Sequence, residues 1–236
     1  MVRHRITGAV NAASVLIAAA ILAFGTVAWP AVTVQENFIR EGNFSSGRIG
    51  GPPPKPWLFS KNGEKVHVAI ETPAGRPETE RWARLVDDND QENANIRQNF
   101  ARVTNGVFQV RLISNKDGGR LFFNLGNGAA SKPEERALQL NIESDGSLVV
   151  HGSEKARTLL QIKTGEVYLV RCEFAPVKDG KALRVRAELI EESTQHANHA
   201  ESDVETQVPI TTLRVTSTRA DTGVDYYLSD VSLTRR

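Results

Sequence analysis

Carboxylates occupy every second position in Glu201-Ser202-Asp203-Val204-Glu205. On a strand this spacing turns all three to one face, and paired carboxyl groups are what glycoside hydrolysis requires. The surrounding stretch, Ser193 to Thr206, is polar with few apolar anchors and reads as a long exposed loop. A loop does not hold such spacing, so no catalytic residue is expected there. His196 and His199 lie three apart in the same stretch, as two imidazoles on a tight turn would. Zinc needs three or four ligands with supporting contacts, which a loop does not preorganise. Cys172 is the only cysteine, so no intramolecular disulfide forms, and its apolar run makes it a small core residue. No phosphate-cradling glycine loop, nucleophile elbow or Cys–His frame is present, and Gly126-Asn127-Gly128 reads as a turn.

Binding chemistry is better represented. Sugar rings stack their C–H faces on aromatic rings while their hydroxyls bond nearby polar groups. The chain has nine Phe, three Tyr and three Trp, several at positions that alternate with polar residues and therefore face inward. Trp82, between Arg81 and Ala83 in ERWARLVD, reads as core. Tyr226 and Tyr227 are adjacent and must point to opposite faces of one strand, which makes Tyr226 a candidate ring. Gln109, Arg111, Asn141, Arg184 and Arg186 are outward residues of alternating runs, and together they would line a polar, concave sheet face.

Those residues need strands to position them, and beyond Val32 a period of two dominates. Phe108, Val110 and Leu112 alternate with Gln109 and Arg111, and Leu138, Leu140 and Ile142 alternate with Gln139 and Asn141. Tyr168, Val170, Cys172 and Phe174 share a face, as do Leu183, Val185, Ala187 and Leu189. Each run has one buried and one wet face, as antiparallel sheets require. Turn pairs such as Asn105-Gly106, Asp145-Gly146 and Asp179-Gly180 separate them. Glu143-Ser144-Asp145-Gly146-Ser147 is the clearest hairpin, and some twelve to fourteen strands are expected in all. Gly50 to Pro56, with four prolines, is an extended surface loop. This is an all-β, two-sheet antiparallel sandwich over residues 32–236.

The totals agree with one such domain. The chain has 236 residues, with 29 basic and 28 acidic side chains and a net charge of +1. No basic stripe stands out, so nucleic acid is not an expected partner. Residues 1–31 are a signal peptide or signal anchor, and would form one apolar helix. Arg3, His4 and Arg5 precede an uncharged run from Ala12 to Trp29. That run is just long enough to span a bilayer, with small residues at Thr26-Val27-Ala28 and at Ala23-Phe24-Gly25. The charge asymmetry keeps the basic end inside and sends the rest across. The domain is therefore expected outside the cytoplasm, anchored to the membrane or secreted after cleavage.

Both ends of the domain carry a resemblance. Asn37-Phe38-Ile39-Arg40-Glu41-Gly42-Asn43-Phe44 is followed by Trp57, and Tyr226-Tyr227-Leu228-Ser229-Asp230-Val231-Ser232-Leu233 closes the chain. Together they resemble the jelly-roll domains of carbohydrate-binding modules. Leu138 to Val150 and the strand after Gly165-Glu166 resemble concanavalin A-like lectin and glucanase domains. The resemblance places Trp57 in the core and implies a polysaccharide or glycan partner. It also implies a possible structural calcium, with Asp230 matching the closing motif's aspartate, although Ser45 stands where the opening motif carries Glu. The leading expectation is a non-catalytic, extracytoplasmic carbohydrate-binding or cell-surface module. A scaffolding envelope protein, or a concanavalin A-like glycoside hydrolase or lyase, are the alternatives.

Overall fold

The alternating runs become strands because each presents one apolar file that another file can cover. A computed structural model of the chain describes residues 36–60, 63, 65–88, 92–151, 156–218 and 223–236. The N-terminal apolar helix expected within residues 1–31 lies outside the described residues. Among the described residues, no helix is long and apolar enough to cross a membrane.

The strands are β1 (Leu58–Phe59), β2 (Val66–Glu71), β3 (Trp82–Asp87), β4 (Asn95–Val103), β5 (Gly106–Ser114), β6 (Leu121–Gly126) and β7 (Arg136–Ile142). They continue as β8 (Ser147–Val150), β9 (Arg157–Gln161), β10 (Val167–Val177), β11 (Ala182–Glu191), β12 (Ala197–Glu205), β13 (Ile210–Ser217) and β14 (Val224–Thr234). Sheet I runs β1-β4-β13-β6-β7-β8-β9 and sheet II runs β12-β11-β10-β5-β14-β3-β2. All neighbouring pairs are antiparallel. The chain changes sheet at β1–β2, β3–β4, β4–β5, β5–β6, β9–β10, β12–β13 and β13–β14. This is the jelly-roll sandwich expected from the sequence.

Phe108, Leu140, Val170 and Val185 are fully buried between the sheets. Phe108 of β5 and Phe123 of β6 meet across the interior, with ring centroids 5.7 Å apart. Trp57 is core as expected, its ring 5.4 Å from Phe44 and its Nε1 donating to the Glu41 carbonyl at 3.0 Å. Asp179 and Gly180 both have positive φ, 56° and 81°, which matches their turn to the twist of the β10–β11 hairpin. The two ends of the domain lie side by side: Asn37 bridges Thr234, and Val231 N–H donates to the Gly42 carbonyl at 3.0 Å.

One expectation is overturned. Residues 193–206 are not a long loop, because Ala197–Glu205 is the edge strand β12, registered along β11. An edge strand has one neighbour and needs few apolar residues; Ala200 is buried and Val204 packs on the core. Its outward charges face arginines of β11, which supplies the complementarity that hydrophobic patterning lacks.

Phe108→Ala removes a ring from the centre of this interface, and a loss of about 3–5 kcal/mol is expected from urea unfolding. A loss below about 1 kcal/mol would contradict the two-sheet core.

Candidate functional site

A sandwich has two outer faces, and here they differ in how charge is disposed. Gln109, Arg111, Arg184 and Arg186 all lie on the outer face of sheet II, as their alternation requires. Their charges are consumed locally. Arg111 donates to Glu192 and Asp230, with N–O distances of 2.5 and 2.9 Å. Arg84 binds Asp225 at 2.7 Å and Glu71 at 3.0 Å. Arg186 reaches Glu188 at 2.9 Å and Glu201 at 3.2 Å, and Arg184 reaches Asp203 at 3.2 Å. Hydrogen bonds from Arg84 to Asp225 hold that guanidinium above its ordinary range. Burial opposes the charge on Arg111, but Glu192 and Asp230 outweigh it and also raise its pKa.

The aromatic groups of this face are covered too. Trp82 is fully buried, though on the outside of sheet II in a small cluster with Ile113 and Tyr227 rather than between the sheets. Arg111 lies 5.1 Å over the Trp82 ring and Arg84 5.4 Å over Tyr227. Tyr226 needs correction as a stacking platform, because its ring is in the main core and its hydroxyl donates to the Gly119 carbonyl at 2.9 Å. It shares the inward file of Val224 and Leu228 and offers a ligand no ring face.

Glu201, Asp203 and Glu205 do share one exposed face, now on β12, and two of them are paired with arginines. Asp230, the expected calcium ligand, sits with φ of 50° at the irregularity in β14. Its Oδ2 accepts from Arg111, so one of its two carboxylate oxygens is already engaged by a cation. No group of three or more His, Cys, Asp or Glu side chains able to hold a metal occurs among the described residues, His196 and His199 included. The residues at Asp230 do not fit a metal. Cys172 is fully buried, and burial pushes its thiol far above the usual range, which leaves it unreactive.

Sheet I is built differently. Strand register aligns Leu58, Arg97, Arg214, Asn124 and Gln139 in one row across β1, β4, β13, β6 and β7. The next row on the same face holds Asn95, Thr216, Phe122 and Asn141. Asn141 therefore belongs to the face opposite Arg111, and the five polar residues expected on one surface divide between two. Along β7, Arg136 donates to Gln139 Oε1 at 2.7 Å and Gln139 to Asn141 Oδ1 at 2.7 Å. Asn141 donates to Glu143 at 3.0 Å, and Glu143 also binds Arg120 at 2.8 Å. Gly126 lets β6 close on this strand, since a Cβ there would lie 1.9 Å from the Glu135 carbonyl oxygen.

Between these groups is a cleft of about 320 Å³, lined by Asn93, Arg120, Phe122, Asn124, Arg136 and Arg214 among others. Arg214 also lines a second hollow of about 590 Å³ that reaches Arg97, Leu58 and Phe59. Asn124 is 0% exposed, yet neither its Nδ2 nor its Oδ1 has a hydrogen-bond partner in the protein. Among the described residues, every buried side-chain polar atom left without a partner lines this cleft, apart from Arg76 Nε. They are Asn93 Oδ1, both polar atoms of Asn124, the Nε atoms of Arg120, Arg136 and Arg214, and Thr218 Oγ1. Folded proteins seldom leave buried polar atoms unpaired, so seven in one cleft mark a surface completed by something else. Burial lowers the Arg214 pKa, and the charges of Arg97 and Arg136 add to the effect. Burial likewise lowers that of Arg136. Arg136 and Arg214 are thus displaced in the opposite direction to Arg84 and Arg111.

Arg97, Asn124, Arg136, Gln139 and Arg214 did not emerge from the sequence reading. The available signal was local: Phe122 and Asn124 are the outward positions of LFFNLG, where a buried amide interrupts an apolar run.

The sequence matches no protein-family model and no curated protein. Among solved structures, the fold is similar to the VIP36 exoplasmic/lumenal domain in its Ca2+/Man3GlcNAc-bound form. The TM-score is 0.53 at 13% identity, covering 85% of this chain and 91% of that one. The Ca2+-bound form of the same domain gives 0.52 at 10% identity, covering 84% and 92%. A Bacillus licheniformis beta-glucanase gives 0.46 at 10% identity, covering 76% and 92%. The fold is thus a jelly-roll sandwich like that of the VIP36 domain.

Replacing Asn124 by Leu, of nearly the same shape, removes two unpaired polar atoms. Because an unsatisfied buried group costs about 1–3 kcal/mol, Asn124→Leu is expected to raise Tm. A lower Tm than wild type would show that the amide is satisfied in solution.

Proposed function

We propose that this domain is a non-catalytic glycan-binding module working outside the cytoplasm, and that the outer face of sheet I is its binding face. The carrying observation is the concentration of unpaired buried polar atoms around Asn124, in a groove open to solvent. Saccharides are dense in hydroxyls that both donate and accept, which is what a mixed set of amide, hydroxyl and guanidinium groups demands. In this reading Asn124 accepts from one hydroxyl and donates to another. Gln139 and Asn141, already hydrogen-bonded to each other, hold the rim in place. Leu58 and Phe59 supply exposed apolar surface at one end for the C–H side of a sugar ring.

The fold supports the reading as analogy, since jelly-roll sandwiches serve many roles. VIP36 is described with Man3GlcNAc bound, and that is a property of VIP36. The extracytoplasmic placement is supported by the basic start and apolar run of residues 3–29, and the same run would be the membrane partner. No step here runs through a metal.

Glycan-array binding and retardation in polysaccharide-containing gels test the proposal. Wild type is expected to bind, and Asn124→Leu to lose binding although it is no less stable. An array without hits, together with unchanged mobility in every gel, would defeat it.

A further inference from the structure

Resting on that glycan-binding reading, we infer that the ligand is an acidic polysaccharide, whose carboxylate or sulfate groups are held by Arg97, Arg214 and Arg136. Arg97 and Arg214 are direct cross-strand partners in β4 and β13. Like charges placed opposite each other on adjacent strands repel, and neither residue has an ion pair among the described residues. Among the described residues, Arg136 donates only to neutral oxygens, those of Gln139 and the Ser131 carbonyl.

Among the described residues, no acidic group nearby forms an ion pair with these three arginines, although Glu134 and Glu135 act on Arg136 from a distance. Glu143 is bound by Arg120 and Asn141. One Glu135 carboxylate oxygen accepts from the Ser131 and Lys132 backbone and from the Ser131 hydroxyl, which holds its pKa low. Glu135 therefore tempers the field at Arg136 and Arg214 without pairing with either. On sheet II, by contrast, Arg84, Arg111, Arg171, Arg184 and Arg186 each have a carboxylate within 3.3 Å. The same chain pairs its arginines on one face and leaves three together on the other, where an incoming anion would relieve their repulsion.

The shape suits a chain better than a lone ion. From Leu58 to Gln139 the row crosses four inter-strand steps, about 19 Å at ~4.8 Å each. Along it, apolar groups at β1 are followed by cations and then by amides. A polymer carrying an anion on successive rings can meet the arginines while its ring faces rest on Leu58 and Phe59. A guanidinium grips carboxylate or sulfate through parallel hydrogen bonds, so either group is served by the same residues.

The test uses the full-length protein in gels containing polygalacturonate (carboxylated), dextran sulfate (sulfated) or dextran (neutral). Retardation by either acidic polymer and not by dextran is expected, weakening as salt is raised. Retardation by only one of them identifies the anionic group. Arg214→Gln should weaken acidic binding by about tenfold or more, while Arg111→Gln on the opposite face should bind as wild type. Equal retardation by dextran, with Arg214→Gln unchanged, would overturn the inference and leave glycan binding intact. Retardation by no polysaccharide, glycan array included, would remove both. Full competition by millimolar inorganic phosphate, or preference for a DNA oligomer over polygalacturonate, would overturn it in favour of a general anion site.

Discussion

Every second side chain of a strand points away from the sandwich interior, so packing the core also builds two outer faces. Polar groups there must find partners in the protein or outside it. This constraint organises the molecule. The inward files, from Phe108 to Leu233, are almost wholly apolar and close one core. The outward files of sheet II solve the constraint internally: arginine and glutamate alternate across β10, β11 and β12, and guanidiniums roof Trp82 and Tyr227. Singly such surface pairs contribute little. As a network they answer the arginines Arg84, Arg111, Arg171, Arg184 and Arg186 from within the protein.

Sheet I leaves the constraint unsolved. Its central row opposes Arg97 to Arg214, and like charges directly opposite each other cost on the order of 0.2–1 kcal/mol. It buries an asparagine whose amide has no hydrogen-bond partner among the described residues of the protein. Both features reduce stability, and binding surfaces are where a protein tolerates such losses. The row from Arg97 through Arg214 and Asn124 to Gln139 lies where pairing is unbroken, so strand register sets the spacing of those four groups. Preorganisation of that kind limits the entropy lost when a ligand is bound.

The fold was legible in the sequence because its signal is local. Alternation in VFQVRLI, ALQLNIE, VYLVRCEF and ALRVRAEL needs only neighbouring residues, and all four inward files are buried. The parity of Tyr226 was readable in the same way, since it alternates in step with Val224 and Leu228. Assignment of outward residues to a common surface was not local. Whether Asn141 and Arg111 share a face depends on which sheet each strand joins, and the chain changes sheet between β5 and β6. The edge strand β12 escaped notice because its register is set by Arg184 and Arg186 opposite Asp203 and Glu201, a match between distant segments. Asp230 matched a familiar closing motif by type, yet its partner Arg111 is 119 positions away and no local pattern announces it.

The central claim is that the face with unanswered charge is the one that meets a ligand. Backbone amide chemical shifts, recorded while a galacturonate oligomer is titrated in, test it directly. The account predicts changes centred on Arg97, Asn124, Gln139 and Arg214. Changes centred instead on Arg111, Arg171 and Arg186 would contradict it.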